Sequence, residues 1–279
     1  MPKEMPEEAD LRATTDAMRR VADNVERVIA GARGPVEAAV TCLFAEGNLL
    51  LEGVPGVGKT MLARALAASI DGTFHRIQAT PDLLPSDLTG ISVYEQGTGD
   101  FRFVPGPLFA NVVLVDEINR TTPRTQSALL EPMEERQVTV ENVTYALPRP
   151  FLVVATENPV DQHGTYPLPE GQLDRFTMTV SVGYPDDGAA GEIVRRQLRR
   201  HPIDELGPAV TAEQVVVHQL AVRSVHVEEP VVDYVVALAR ATRDHGDLLL
   251  GTSPRGMVAL TRAAQARAAL VGRAFVLPD

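Results

Sequence analysis

The stretch Gly53-Val54-Pro55-Gly56-Val57-Gly58-Lys59-Thr60 directly follows the apolar run Asn48-Leu49-Leu50-Leu51 and precedes a helix-forming segment, residues 61–70. A strand feeding a G-x-x-x-x-G-K-[ST] loop that opens a helix constrains the local fold tightly. Glycines at 53, 56 and 58 let the backbone curl so that successive N–H groups point inward at phosphate oxygens. Lys59 brings a positive charge, Thr60 offers a hydroxyl to Mg²⁺, and Met61 begins the helix whose N-terminal dipole favours anions. Residues 53–61 are therefore the candidate phosphate site, and an α/β sheet with the loop at the C-terminal end of a strand is the expected frame.

The rest of the chain fits that frame. Runs at 48–51, 74–79, 111–115, 151–155 and 176–182 predict a five-stranded parallel sheet, with 111–115 apolar throughout as a strand buried on both faces requires. Helical periodicity covers 11–29 and, after a break at Gly31 to Pro35, continues to Ala45. Two hairpins are expected, 91–95 with 101–104 and 137–140 with 143–147, and a helix over 123–136 is expected to kink at Pro132. Gly183 to Gly188 breaks the pattern. Residues 1–185 read as terminal helices plus a nucleotide-binding α/β core. Residues 186–279 read as a small all-α domain with helices at 189–200, 211–225, 230–243 and 253–272, the second opened by a Thr211 to Gln214 capping box.

Asp116-Glu117 closes the strand at 111–115. With a phosphate loop present, the first carboxylate can hold Mg²⁺ through water, and the second can orient and deprotonate an attacking water, which implies hydrolysis. Asn158 ends the strand expected between those of the loop and of Asp116, where its amide reaches the γ-phosphate or that water, or serves as a turn former before Pro159. Arg175 stands just before the last core strand, placed either as an arginine finger for a neighbouring subunit or as a surface pair with Asp174. Arg255 falls in the first turn of the last helix, behind Ser253 as N-cap and Pro254, where a cation opposes the helix dipole unless it meets a phosphate. The histidines show no metal-ligand spacing.

A formal net charge of −11 and the absence of a long Lys/Arg block argue against nucleic acid as the main partner. The lone Cys42 lies among Val40, Leu43 and Phe44 and reads as a buried helix position in a reducing compartment. The N-terminus lacks the apolar core of a signal peptide and no run is long enough to insert in a membrane, so a cytoplasmic location is expected.

Taken in order, residues 53–60, 112–119, 155–159, 173–176 and 253–255 resemble the AAA+ ATPases. The phrases FRFVPGPLFANVVLVDEINR, QSALLEPMEERQVTV and GTYPLPEGQLDRF are similar to the MoxR family in particular, over residues 28 to the C-terminus. That resemblance implies a P-loop AAA+ core with a helical lid, ATP and Mg²⁺ as cofactors, and roles for Asn158 as sensor 1, Arg175 as arginine finger and Arg255 as sensor 2. It implies base contacts from Ile29 and Gly31, although Ala30-Gly31-Ala32 departs from the usual Val-Gly-Gln, as Pro132 and Glu157 depart from Ala and Gln. The chain stops at Leu277-Pro278-Asp279, where relatives tend to continue. The resemblance further implies a nucleotide-dependent hexamer acting as a chaperone-like remodeller of protein clients, often with a von Willebrand factor A domain partner, and hairpins that face the ring pore. A chelatase-type motor that loads a metal into a cofactor on a partner enzyme, and a nucleic-acid motor, are the alternatives.

Overall fold

The computed structural model describes residues 8–97, 99–158, 164–198 and 201–278. Residues 1–7, Thr98 in the first hairpin tip, Pro159, the expected helix end at Arg200 and the terminal Asp279 lie outside them. The strands are β1 (Leu49–Glu52), β2 (Phe74–Gln78), β3 (Gly90–Glu95), β4 (Asp100–Pro105), β5 (Val112–Asp116), β6 (Gln137–Val140), β7 (Val143–Ala146), β8 (Leu152–Glu157) and β9 (Met178–Ser181). Five of them form one sheet in the order β2-β5-β8-β1-β9, and every pairing within it is parallel. β8 lies between β1 and β5, so the ends of the loop strand, the Asp116 strand and the Asn158 strand are neighbours, as the sequence predicts.

Period-two alternation along these strands divides the core between the two faces of the sheet. Leu49, Leu51, Val112, Leu114, Leu152 and Val154 point to one face, where they meet helices α1 (Glu8–Glu26), α2 (Arg33–Phe44) and α3 (Lys59–Ser69). Leu50, Val113, Val115, Val153 and Ala155 point to the other, against Leu88 of α4 (Pro85–Thr89), Leu108, Ile118 and Leu129. Each of these large side chains removed from water contributes about 2 kcal/mol before entropy is charged against it. Cys42 is fully buried on α2, as its neighbours suggest.

The helix expected over 123–136 is two helices, α5 (Pro123–Ser127) and α6 (Leu130–Glu135). Pro132 lacks an N–H for residue 128, and its ring would strike that carbonyl, so the helix restarts and Pro132 falls in the first turn of α6. Glu141 and Asn142 both adopt positive φ, 50° and 67°, which closes the two-residue turn between β6 and β7. A short α7 (Glu170–Leu173) precedes β9.

Beyond residue 186 the chain is helical: α8 (Asp187–Gln197), α9 (Ala212–Arg223), α10 (Glu229–Arg243) and α11 (Pro254–Leu270). The capping box forms, with Thr211 accepting from the Gln214 amide N–H and Gln214 reaching back to the Thr211 N–H. α9 and α11 pack on the N-terminal helices: Gln219 donates to the Leu43 carbonyl at 2.8 Å, and Thr15 to that of Ala269 at 2.7 Å.

Candidate active site

The β1–α3 connection adopts the predicted curl. Gly53 has φ of 156°, and a Cβ there would stand 2.4 Å from the Val182 carbonyl oxygen, so a side chain is excluded by both conformation and space. Gly58 caps α3 in the left-handed region, with φ of 95°. Lys59 Nζ donates to the Gly53 carbonyl and, at 3.3 Å, to that of Glu157. Burial lowers the Lys59 pKa, and the charges of Asp116 and Glu117 oppose that shift.

Asp116 ends β5 beside the loop. Its Oδ1 accepts from the Thr156 hydroxyl at 2.6 Å, and its Oδ2 lies 3.4 Å from the Thr60 hydroxyl. Hydroxyl and carboxylate oxygens at this separation, next to a loop built for phosphate, suit the hard-oxygen preference of Mg²⁺. Glu117 follows with φ of 58°, a left-handed turn that lifts its side chain off the strand; its amide N–H donates to Thr156 Oγ1 at 2.9 Å. The Glu117 carboxylate accepts from Gln78 Nε2 at 3.0 Å and pairs with Arg120 at 3.2 Å. Asn158, buried at the end of β8, lines the same cleft of about 380 Å³ with Pro55, Gly56, Lys59, Thr60, Met61 and both carboxylates.

An adjoining cleft of about 350 Å³ is lined by Ile29, Gly31, Val57, Gly58, Met61, Tyr184 and His201. Its apolar walls next to the phosphate loop have the character of a site for a flat base. A Cβ at Gly31, whose φ is 77°, would stand 2.4 Å from Ala189 Cβ, so the loop between α1 and α2 is pinned to α8 there. Val54 lines neither cleft.

Arg175 and Arg255 are brought together, but not with the phosphate loop. Asn48 Nδ2 donates to the Arg175 carbonyl at 3.3 Å, which ties Arg175 to the N-terminal edge of the sheet. The loop leaves the C-terminal edge, about 15 Å away along β1 at the rise of an extended strand. Arg175 meets Glu134 Oε2 through Nε at 3.1 Å and Nη2 at 3.0 Å. Arg255 pairs with the same Glu134 carboxylate and with Asp174 Oδ2 at 3.4 Å. The alternative surface pair of Asp174 with Arg175 does not form: Asp174 instead accepts from Ser253 Oγ at 2.6 Å. Glu134, Asp174, Arg175 and Arg255 line a separate cleft of about 200 Å³.

Five residues of the two sites, Arg76, Gln78, Arg120, Thr156 and Glu134, escaped the sequence reading. Arg76 and Gln78 belong to β2, and they matter because β2 pairs with β5 in a register that sets Gln78 opposite Asp116. Thr156 matters through the neighbouring β8, and Glu134 through the break that frees α6. The alternation of β2 was a signal: Arg76 and Gln78 are polar positions two apart on one face. Among the described residues no group of three or more His, Cys, Asp and Glu side chains is placed to hold a metal by itself.

Residues 48–178 match the ATPase family associated with various cellular activities (AAA), and residues 240–279 match the AAA lid domain. The chain is 40% identical to the chaperone MoxR1 of Mycobacterium tuberculosis over 96% of its own length and 73% of that protein. It is 33% identical to protein MoxR of Methylorubrum extorquens over 98% and 86%. The chain belongs to the MoxR family of AAA+ ATPases. The uncharacterized protein YeaC of Bacillus subtilis is 48% identical over 93% of this chain and 81% of that one. A crystal structure from Cytophaga hutchinsonii, described provisionally as an ATPase, superposes with a TM-score of 0.88 at 39% identity, covering 97% of this chain and 85% of the other. MoxR membership accounts for the P-loop core and its helical lid, and the AAA ATPase family implies nucleotide binding. No described helix is long and apolar enough to cross a membrane.

Proposed function

We propose that the chain hydrolyses ATP in the cleft between the phosphate loop and Asp116-Glu117, and that assembled subunits use this hydrolysis to remodel or mature protein clients. The observation that carries the reading is the convergence of Lys59, Thr60, Asp116, Glu117 and Asn158 on one cleft. Residues 53–61 bind the phosphates, and Ile29 and Gly31 flank the base. Thr60 and Asp116 would hold Mg²⁺, which would supply positive charge to stabilise phosphoryl transfer. Glu117 orients and deprotonates the attacking water, with Gln78 and Arg120 fixing its carboxylate, while Asn158 positions the water or the γ-phosphate. In this reading residues 1–185 carry the nucleotide and residues 186–279 act as the lid.

Arg175 and Arg255, on the far edge of the sheet from their own loop, serve the nucleotide of a neighbouring subunit. This supports a nucleotide-dependent ring, a hexamer by the family resemblance, working in the cytoplasm with a von Willebrand factor A domain partner. The hairpin β3–β4 is the gripping element. Phe103 stacks on Tyr145 of the second hairpin at 4.0 Å between ring centroids, whereas Tyr94 and Phe101 form an edge-to-face pair at 5.4 Å, with Phe101 70% exposed. An aromatic pair held out to solvent is costly unless it is used.

A Glu117→Gln chain held with ATP tests the reading. It should retain client proteins that ADP releases, and adding Tyr94→Ser and Phe101→Ser should abolish retention while nucleotide binding persists. Retention no greater than that of Lys59→Ala would contradict the client role.

A further inference from the structure

Asp116 already has a cation. Arg76 on β2 directs both Nε, at 3.1 Å, and Nη2, at 2.6 Å, at Asp116 Oδ2. Nη2 also donates to Gln78 Oε1 at 2.8 Å, a second acceptor that helps fix the guanidinium. Oδ1 is taken by Thr156, which leaves Oδ2 as the atom that both Thr60 and Arg76 address. The Asp116 side chain is 12% exposed and that of Arg76 49% exposed, so the anion is fixed in the wall of the cleft while its partner reaches in from the edge strand. Nothing in the phosphate-loop chemistry requires this arginine.

We propose that Arg76 is a built-in competitor for the magnesium position: it occupies Asp116 Oδ2 when no cation is bound, and it sets the Mg²⁺ concentration at which the nucleotide complex forms. The proposal rests on the reading of the cleft as an Mg²⁺-nucleotide site. A hydrated Mg²⁺ beside Thr60 Oγ1 needs a lone pair of Oδ2 to accept from one of its waters, and Arg76 holds that oxygen with two donors. Two cations that share one carboxylate repel each other, and in a partly dry cleft this repulsion is screened far less than in water. Arg76 therefore weakens Mg²⁺ binding while it neutralises Asp116 in the empty cleft. It is a positioning residue for that carboxylate, and Lys, which keeps the charge but not the fork, should compete less well than Arg but better than a neutral side chain.

The test is an Mg²⁺ titration of fluorescent N-methylanthraniloyl-ADP binding to the full chain, with nucleotide affinity measured first without metal. In wild type the fluorescence should rise with Mg²⁺ to a definite midpoint. Arg76→Ala should lower that midpoint by about fivefold or more, and Arg76→Lys should fall between the two, each midpoint being taken relative to the metal-free nucleotide affinity of the same chain. A midpoint in Arg76→Ala that is unchanged or higher overturns the proposal and leaves the nucleotide site standing. A lower midpoint accompanied by an equal change without metal shows a merely structural effect and also overturns it. Failure of the wild type to bind the analogue at any Mg²⁺ concentration overturns both readings together.

Discussion

Arg175 and Arg255, contributed by the core and by the last helix, share the single carboxylate of Glu134. Ser253, the N-cap of that helix, is itself held by Asp174, so the helix start is docked on the segment that carries Arg175. Both arginines are thus presented as one unit at the N-terminal edge of the sheet, away from the cleft that holds the phosphate loop of their own chain.

Substituting these arginines separates binding from turnover. Arg175→Ala and Arg255→Ala should each bind ATP within a few-fold of wild type, because the loop and base clefts are untouched. Turnover of Arg175→Ala should fall by about a thousandfold, the size of an arginine-finger effect. Nucleotide titration alongside phosphate release measures the two quantities, and a parallel loss of binding would place the arginines in their own subunit's site.

A second separation lies within the phosphate cleft. Lys59→Ala should abolish tight nucleotide binding, since the loop loses its only ammonium. Glu117→Gln keeps the hydrogen-bonding shape and should bind ATP normally but hydrolyse it about a hundredfold or more slowly. Turnover at the wild-type rate in Glu117→Gln would remove that carboxylate from the role of base.

The thiol of Cys42 is fully buried on α2, where it donates to the Asn48 carbonyl at 3.4 Å, and burial pushes its pKa up to about 12. A thiolate is then negligible at neutral pH, so a thiol reagent should label the native chain far more slowly than the unfolded one. Rapid stoichiometric labelling of native protein, followed by mass spectrometry, would show that α2 opens readily from β1.

His218 on α9 makes a pH-dependent joint with α1. Thr14 commits its hydroxyl proton to the Asp10 carbonyl at 2.8 Å, so its oxygen accepts from His218 Nδ1–H at 2.9 Å. Burial, helped by the charge of Arg20 and opposed by that of Asp10, depresses the His218 pKa below its ordinary 6.5. The unfolded chain therefore binds more protons in that window, and this contribution to stability is complete above pH 6.5 and is lost as pH falls through the lowered folded value. Thermal unfolding from pH 7.5 downward should show a decline that His218→Gln flattens; an identical decline in both would assign it to other groups.

The phosphate loop, the Asp116-Glu117 pair and the placement of β8 were legible because short-range patterns specify them: glycines before a helix, carboxylates after an apolar run, buried strands with turns between. Arg76, Gln78 and Thr156 were not, because each acts across a strand pairing, and the neighbour of a strand is fixed by long-range packing rather than by its own residues. Glu134 was hidden for a different reason, since the expected helix over 123–136 obscured the restart that Pro132 imposes. The first hairpin shows the limit of alternation. Phe101 and Phe103 share a face as period two requires, yet Phe103 is clamped between Phe109 and Tyr145 while Phe101 lies beyond the reach of the core.

The central claim, that one subunit's base and its neighbour's arginine complete each site, is tested most directly by mixing two inactive chains. Arg175→Ala retains Glu117, and Glu117→Gln retains Arg175, so in mixed rings a fraction of interfaces carries both. Steady-state ATP turnover of the mixture should rise well above that of either chain alone, peaking near equal proportions. Turnover that stays at the level of the separate variants, in mixed assemblies verified by mass, would contradict the account.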